Sequence, residues 1–322
     1  MVSLPPQIGS VEEGGLLRLG GFGRPFGIGI DPEGSVLVAD MDLHGIVRFT
    51  PDLLAFQWLG DHVGWSDTIT VTKDLASRAL PRPPGRFNGP HSVACGTDRR
   101  IYVTTYYDPG LHILFPNGRL ATRIDGAEPL FRFKGPATGV FDTRKHLLVT
   151  EYALNGIFSL DAEGRFVGAL GGGQDGFRQA SGFEPGSRAG FFDRPHMAVT
   201  MKTGDIIVAD TWNHRLQRFS PDGRFVGILG GREEGWRDSA AVTLQSIAPS
   251  GFHAPVAISV VDDGRLVVTD WGNNRLKWMD PEGYLLGIDD SLGLEKPYDA
   301  QIFGKRCFIA NSHKGEVIVK NV

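Results

Sequence analysis

Short apolar runs rich in valine, isoleucine and leucine recur along the whole chain, and glycine, proline or an acidic residue interrupts each one. Runs of this size have the length of strands, and the residues between them are those of tight turns, so the pattern predicts many short strands and few helices. The most regular runs end on an acidic or polar residue: Val38-Ala39-Asp40, Leu148-Val149-Thr150-Glu151, Ile206-Ile207-Val208-Ala209-Asp210, Leu266-Val267-Val268-Thr269-Asp270 and Phe308-Ile309-Ala310-Asn311.

These runs belong to a repeat. Each copy has a proline, a short apolar strand, a turn, a valine-rich strand ending in an acidic or polar residue, and a third strand. The clearest copies are residues 194–230 and 254–287, where Asp210 leads into Thr211-Trp212-Asn213-His214-Arg215-Leu216 and Asp270 into Trp271-Gly272-Asn273-Asn274-Arg275-Leu276. Pro25, Pro90, Pro136, Pro195, Pro255 and Pro297 anchor six units. Pro-Asn/Asp-Gly and Glu-Gly pairs then turn the chain into a fourth strand, with glycine at positive φ. The sixth unit reaches Val322 after three strands, whereas Leu16-Leu17-Arg18-Leu19 precedes the first proline with nothing else to pair with. The predicted fold is therefore all-β: a six-bladed β-propeller of four-stranded blades, a single domain over 1–322, closed by that N-terminal strand in the last blade. The pattern Val-x-Asp, then Asn-x-Arg-Leu, then Pro-Asp-Gly closely resembles the NHL repeat family.

Composition narrows the function classes. A hydrophobic content of 41% with 44 glycines and 20 prolines suits a soluble, turn-rich protein. The net charge of -4 gives no overall field for nucleic acid or anionic lipid, and no nucleic-acid partner is expected. Cys95 and Cys307 stand far apart and read as free core thiols, which suits a reducing compartment. No apolar run approaches the roughly 20 residues that span a bilayer, and Met1 to Ser10 lacks the pattern of a signal peptide. The expectation is a cytoplasmic protein without a membrane partner.

In a propeller, residues after each anchoring proline and at each second-strand end meet at one mouth of the central channel. The first set is Phe26, His91, Ala137, His196, Val256 and Tyr298; the second begins at Asp40, Thr105, Glu151, Asp210, Asp270 and Asn311. Insertions at 60–88, 171–193 and 230–253 join blades on this face and share a local likeness: Gly64-Trp65-Ser66-Asp67, Gly176-Phe177-Arg178-Gln179 and Gly235-Trp236-Arg237-Asp238. His91 and His196 each follow a proline in alternate blades. Two converging imidazoles are half of a site for a divalent ion such as zinc or calcium, with Glu151, Tyr298 or Asp299 available to complete it. The other reading is that both histidines hydrogen-bond neighbouring strands or channel water. Tyr106, Tyr107, Tyr298 and Asp299 are candidate substrate contacts. Trp212 and Trp271 read first as packing between blades, and Asp210, Asp270, Arg215 and Arg275 as structural repeat residues.

The Pro-His pairs also resemble those of the peptidyl-hydroxyglycine amidating lyases, six-bladed NHL enzymes with one central zinc held by three such histidines. The resemblance implies metal ligation by His91 and His196 and a catalytic role for Tyr152, while Tyr298 stands in the third histidine's place. The functional expectation is a small-molecule enzyme, lyase- or hydrolase-like and metal-dependent, in which Tyr152 or Glu151 moves a proton at the channel mouth. The alternative is a non-catalytic scaffold that presents its loop-decorated face to a protein partner, with Trp65 and Trp236 as anchors.

Overall fold

The computed structural model describes residues 7–11, 16–60, 64–67, 86–161, 163–238 and 245–322. Its architecture is the six-bladed propeller expected from the repeat: antiparallel sheets of four or five strands, in chain order except where N-terminal strands join the last blade, with a two-stranded ribbon at Gly126–Ala127 and Phe131–Arg132. Among the described residues no helix is long and apolar enough to cross a membrane. The chain divides into two compact units, Met1–Asp125 with Tyr298–Val322, and Gly126–Pro297.

The first unit contains blade 1, with strands Pro25–Ile30, Val36–Asp40, Gly45–Phe49 and Phe56–Leu59, and blade 2, from Pro90–Cys95 to Leu120–Ile124. Blade 6 completes it. Leu17–Gly20 pairs antiparallel with Glu316–Asn321, setting Leu17 opposite Val319 and Leu19 opposite Val317. This is the closure inferred from strand count. Gln7–Val11 adds a further outer strand, which the repeat did not reveal. Leu19, Val317 and Phe308 then share one buried cluster with Ile28, Val36 and Phe49 of blade 1.

The second unit contains blade 3 (from Pro136–Phe141 to Phe166–Leu170), blade 4 (from Met197–Thr200 to Phe225–Gly230) and blade 5 (from Pro255–Val260 to Leu285–Asp289). In both units the second strands are buried from end to end, as Val36–Asp40, Leu147–Glu151, Ile206–Asp210 and Leu266–Asp270 show. Neighbouring blades cover both faces of these strands, and so their sequences are continuous apolar runs without alternation. The turns into the fourth strands place Gly118, Gly164, Gly223 and Gly283 at φ between 80° and 88°.

The three similar loop motifs turn out to share a structural task. After its fourth strand the chain doubles back, pairing Ser66 with Trp58, Arg178 with Ala169 and Arg237 with Ile228. The aromatic residue then docks on a turn of the following blade. The Trp65 indole N–H donates to the Pro116 carbonyl at 3.0 Å, that of Trp236 donates to the Pro281 carbonyl at 2.9 Å, and Phe177 lies against Gly223. Most of the 60–88 insertion and residues 239–244 lie outside the described residues.

Candidate functional site

The side chains after the prolines are positioned by two sets of hydrogen bonds. The acidic residue ending a second strand accepts backbone N–H groups from the segment that enters the same blade: Asp40 from Gly23 and Arg24, Glu151 from Lys134, Asp210 from Asp193, and Asp270 from His253. Past that acid a residue in the left-handed region (His44, Asn155, His214 or Asn274) accepts the N–H just before the next blade's proline. These four bonds span 2.9–3.0 Å, and asparagine and histidine serve alike because each offers a short-range acceptor while tolerating positive φ. The pre-proline residue is thereby fixed from two blades at once. Gly89 shows how tight this junction is: at φ 66° its Cβ would stand 2.5 Å from the Tyr107 ring.

Repeat residues also hold the insertions. The fully buried guanidinium of Arg215 pairs with Asp210 at 2.7 Å and donates to the carbonyls of Ser187, Arg188 and Phe191. Arg275 does the same with Asp270, Ile247, Ala248 and Gly251. These residues are structural, as their place in the repeat implied.

In the first unit His91 is buried and its Nε2 lies 3.0 Å from the Tyr298 hydroxyl. Tyr298 stacks on Phe26 with ring centres 3.8 Å apart and planes 2° from parallel, and Tyr106 lies beside His91 at 6.0 Å. Tyr107 meets Tyr106 edge-on, and its hydroxyl accepts from Arg24 at 3.4 Å. Asp299 is buried, accepts the Ile28 N–H at 2.8 Å, and burial pushes its carboxyl up to about 6. The structure thus brings His91, Tyr298, Tyr106 and Tyr107 together, while Asp299 is engaged by the Ile28 N–H and the Gln301 side-chain amide.

In the second unit His196 is partly exposed, and the Tyr152 ring meets it edge-on at 4.8 Å. Its Nδ1 lies 3.1 Å from the Thr211 hydroxyl oxygen, and that hydroxyl donates to the Pro255 carbonyl at 2.7 Å. With the hydroxyl proton engaged there, the contact requires Nδ1 to donate. The neutral ring then carries its lone pair on Nε2. Glu151, next to Tyr152, is fully buried under the N–H groups of Lys134 and Ala153, and burial pushes its carboxyl up to about 7. Beside Tyr152 opens a cleft of about 400 Å³, lined also by Asn155, Pro185, Asp193, Arg194 and Trp212.

Among the described residues no three His, Cys, Asp or Glu side chains are grouped as a metal centre needs, and Nε2 of His91 faces the Tyr298 hydroxyl. Among the described residues neither histidine belongs to such a group.

The NHL repeat family model matches residues 192–219 and 252–279, the two clearest copies. Two blades of this propeller therefore carry NHL repeats. No curated protein matches the sequence. Among solved structures the propeller is similar to a streptogramin B lyase (13% identity, TM-score 0.58, covering 94% of this chain and 84% of that one). It is also similar to a catalytically inactive virginiamycin B lyase from Staphylococcus aureus with quinupristin (12%, 0.59, 99% and 95%). A gluconolactonase from Xanthomonas campestris is a third such structure (12%, 0.60, 99% and 95%). Identities this low establish the fold alone; the neighbours are lyase- and lactonase-like propeller enzymes.

Trp212, an aromatic at a strand end for which packing is the first reading, is 46% exposed and lines the cleft. Arg194 is a cleft residue that the sequence reading does not single out, although a cation precedes the anchoring proline in Arg24-Pro25, Arg194-Pro195 and Lys296-Pro297.

Proposed function

We propose that this propeller is a small-molecule enzyme of the lyase or lactone-hydrolase type, working in the cleft beside Tyr152. The carrying observation is the Thr211 hydroxyl, which requires the His196 tautomer with an accepting Nε2 next to an aromatic hydroxyl residue. In this reading His196 is the general base. It takes a proton from the carbon next to a carbonyl in an elimination, or from water in ring opening of a lactone. Tyr152 protonates the departing oxygen. Glu151, buried beneath the loop, keeps Tyr152 and Ala153 in place. The lyase and lactonase neighbours support this class of chemistry, and the mechanism needs no step through a metal.

The test is turnover of a panel of lactones and cyclic depsipeptides by the intact protein. His196→Ala and Tyr152→Phe are each expected to lower kcat by about 10²–10⁴ with the fold retained, and chelator treatment to leave the rate unchanged. Unaltered kcat in both variants would overturn the assignment. Activity lost on chelation and restored by zinc or calcium would replace it with a metal-dependent one.

A further inference from the structure

We propose that Arg194 makes this cleft a receptor for a monocarboxylate with a flat apolar body, a substrate class that rests on the reading of the cleft given above. The Arg194 guanidinium lies 5.7 Å from the Tyr152 ring centre and 5.6 Å from that of Trp212, and it makes no ion pair among the described residues. A guanidinium held on aromatic faces keeps its in-plane N–H groups for a planar anion, which a carboxylate matches in bidentate fashion. The half-exposed face of Trp212 offers the surface on which an apolar ring would lie. Asp193 on the same wall adds a negative charge that disfavours a dianion such as a phosphate monoester.

The backbone does not call for arginine at this position. Arg194 has φ 50° and its N–H is held by Asn155; Ala254 has the same φ, with its N–H held by His214. Alanine therefore satisfies the fold at the matching place one blade on; Lys296, also at φ 50°, stacks on Trp271 as Arg194 does on Trp212, and what sets Arg194 apart is that it lines the cleft.

Calorimetric titration of the full chain with 3-phenylpropionate, 3-phenylpropanol and phenyl phosphate tests this. The carboxylate is expected to bind at least about tenfold tighter than either other probe. Arg194→Ala should remove that preference, Arg194→Lys should keep part of it, and Trp212→Ala should weaken all three probes. Equal binding of carboxylate and alcohol, survival of the preference in Arg194→Ala, or no binding at millimolar carboxylate would each overturn the proposal. His196→Ala separates the two readings. It should abolish turnover while leaving carboxylate affinity within about twofold, so a failed catalytic assignment would still leave the binding result interpretable.

Discussion

His91 and Tyr298, 207 positions apart in the chain, meet through a 3.0 Å contact between Nε2 and the phenol oxygen, on a tyrosine already stacked against Phe26. The residue that breaks the run of Pro-His pairs is thus a partner of the first histidine. Tyr298→Phe keeps the stack and removes the hydroxyl. It should cost about 1 kcal/mol in denaturant unfolding, with a larger loss for Tyr298→Ala. No change in Tyr298→Phe would mean that the hydroxyl contributes nothing to holding His91.

The buried Glu151 carboxyl carries a pH signature. Burial raises it from 4.5 to about 7, so the folded chain keeps this proton after the unfolded chain has released it. Its contribution to stability is complete below about 4.5 and is lost as pH rises through about 7. Glu151→Gln stays neutral and should flatten the stability–pH curve across that window. The same downward slope in the variant would locate the effect elsewhere.

His214 should behave in the opposite sense. Burial, then the neighbouring His253, lowers it from 6.5, and its unprotonated Nδ1 accepts the Ala254 N–H. Its contribution is present above 6.5 and is lost as pH falls. Asn155 and Asn274 do the same work, so His214→Asn should hold neutral-pH stability within about 0.5 kcal/mol and remove this acid sensitivity. His214→Ala should cost about 1–3 kcal/mol by orphaning a backbone donor. Equal losses in both variants would refute an acceptor role.

Deleting residues up to Gly20 takes away the partner of Val317, Ile318 and Val319. An unpaired apolar edge invites new pairing, so the shortened chain should aggregate or melt at a markedly lower temperature. Unchanged melting and a monodisperse solution would show that the pairing with Leu17 to Leu19 is dispensable.

The repeat made the fold legible because each blade restates one local code, and the closing strand followed from counting. The site was only partly legible. Pro-His pairs placed His91 and His196 at the starts of inner strands, but not their hydrogen-bond partners: Tyr298, for His91, comes from another blade, and Thr211, for His196, comes from just past the second strand of the same blade. The first of these partners is not encoded in the spacing along one blade. His44 and His214 stayed hidden for a related reason, since their task becomes visible only beside Asn155 and Asn274, which occupy the same left-handed position. Arg194 differs again. Its backbone role is generic and a cation recurs at Arg24 and Lys296, so the repeat shows the charge but not the cleft that Arg194 lines.

The aromatic residues that reach from one blade onto the next turn provide an optical handle. Trp65 and Trp236 each donate an indole hydrogen bond across a different blade junction, one in each unit, while Phe177 occupies the matching place at a third. Indole emission moves to longer wavelength when such a contact gives way to water. Single-tryptophan versions of the protein would therefore report which seam opens first under denaturant, and Phe177→Trp would bring the silent junction into view.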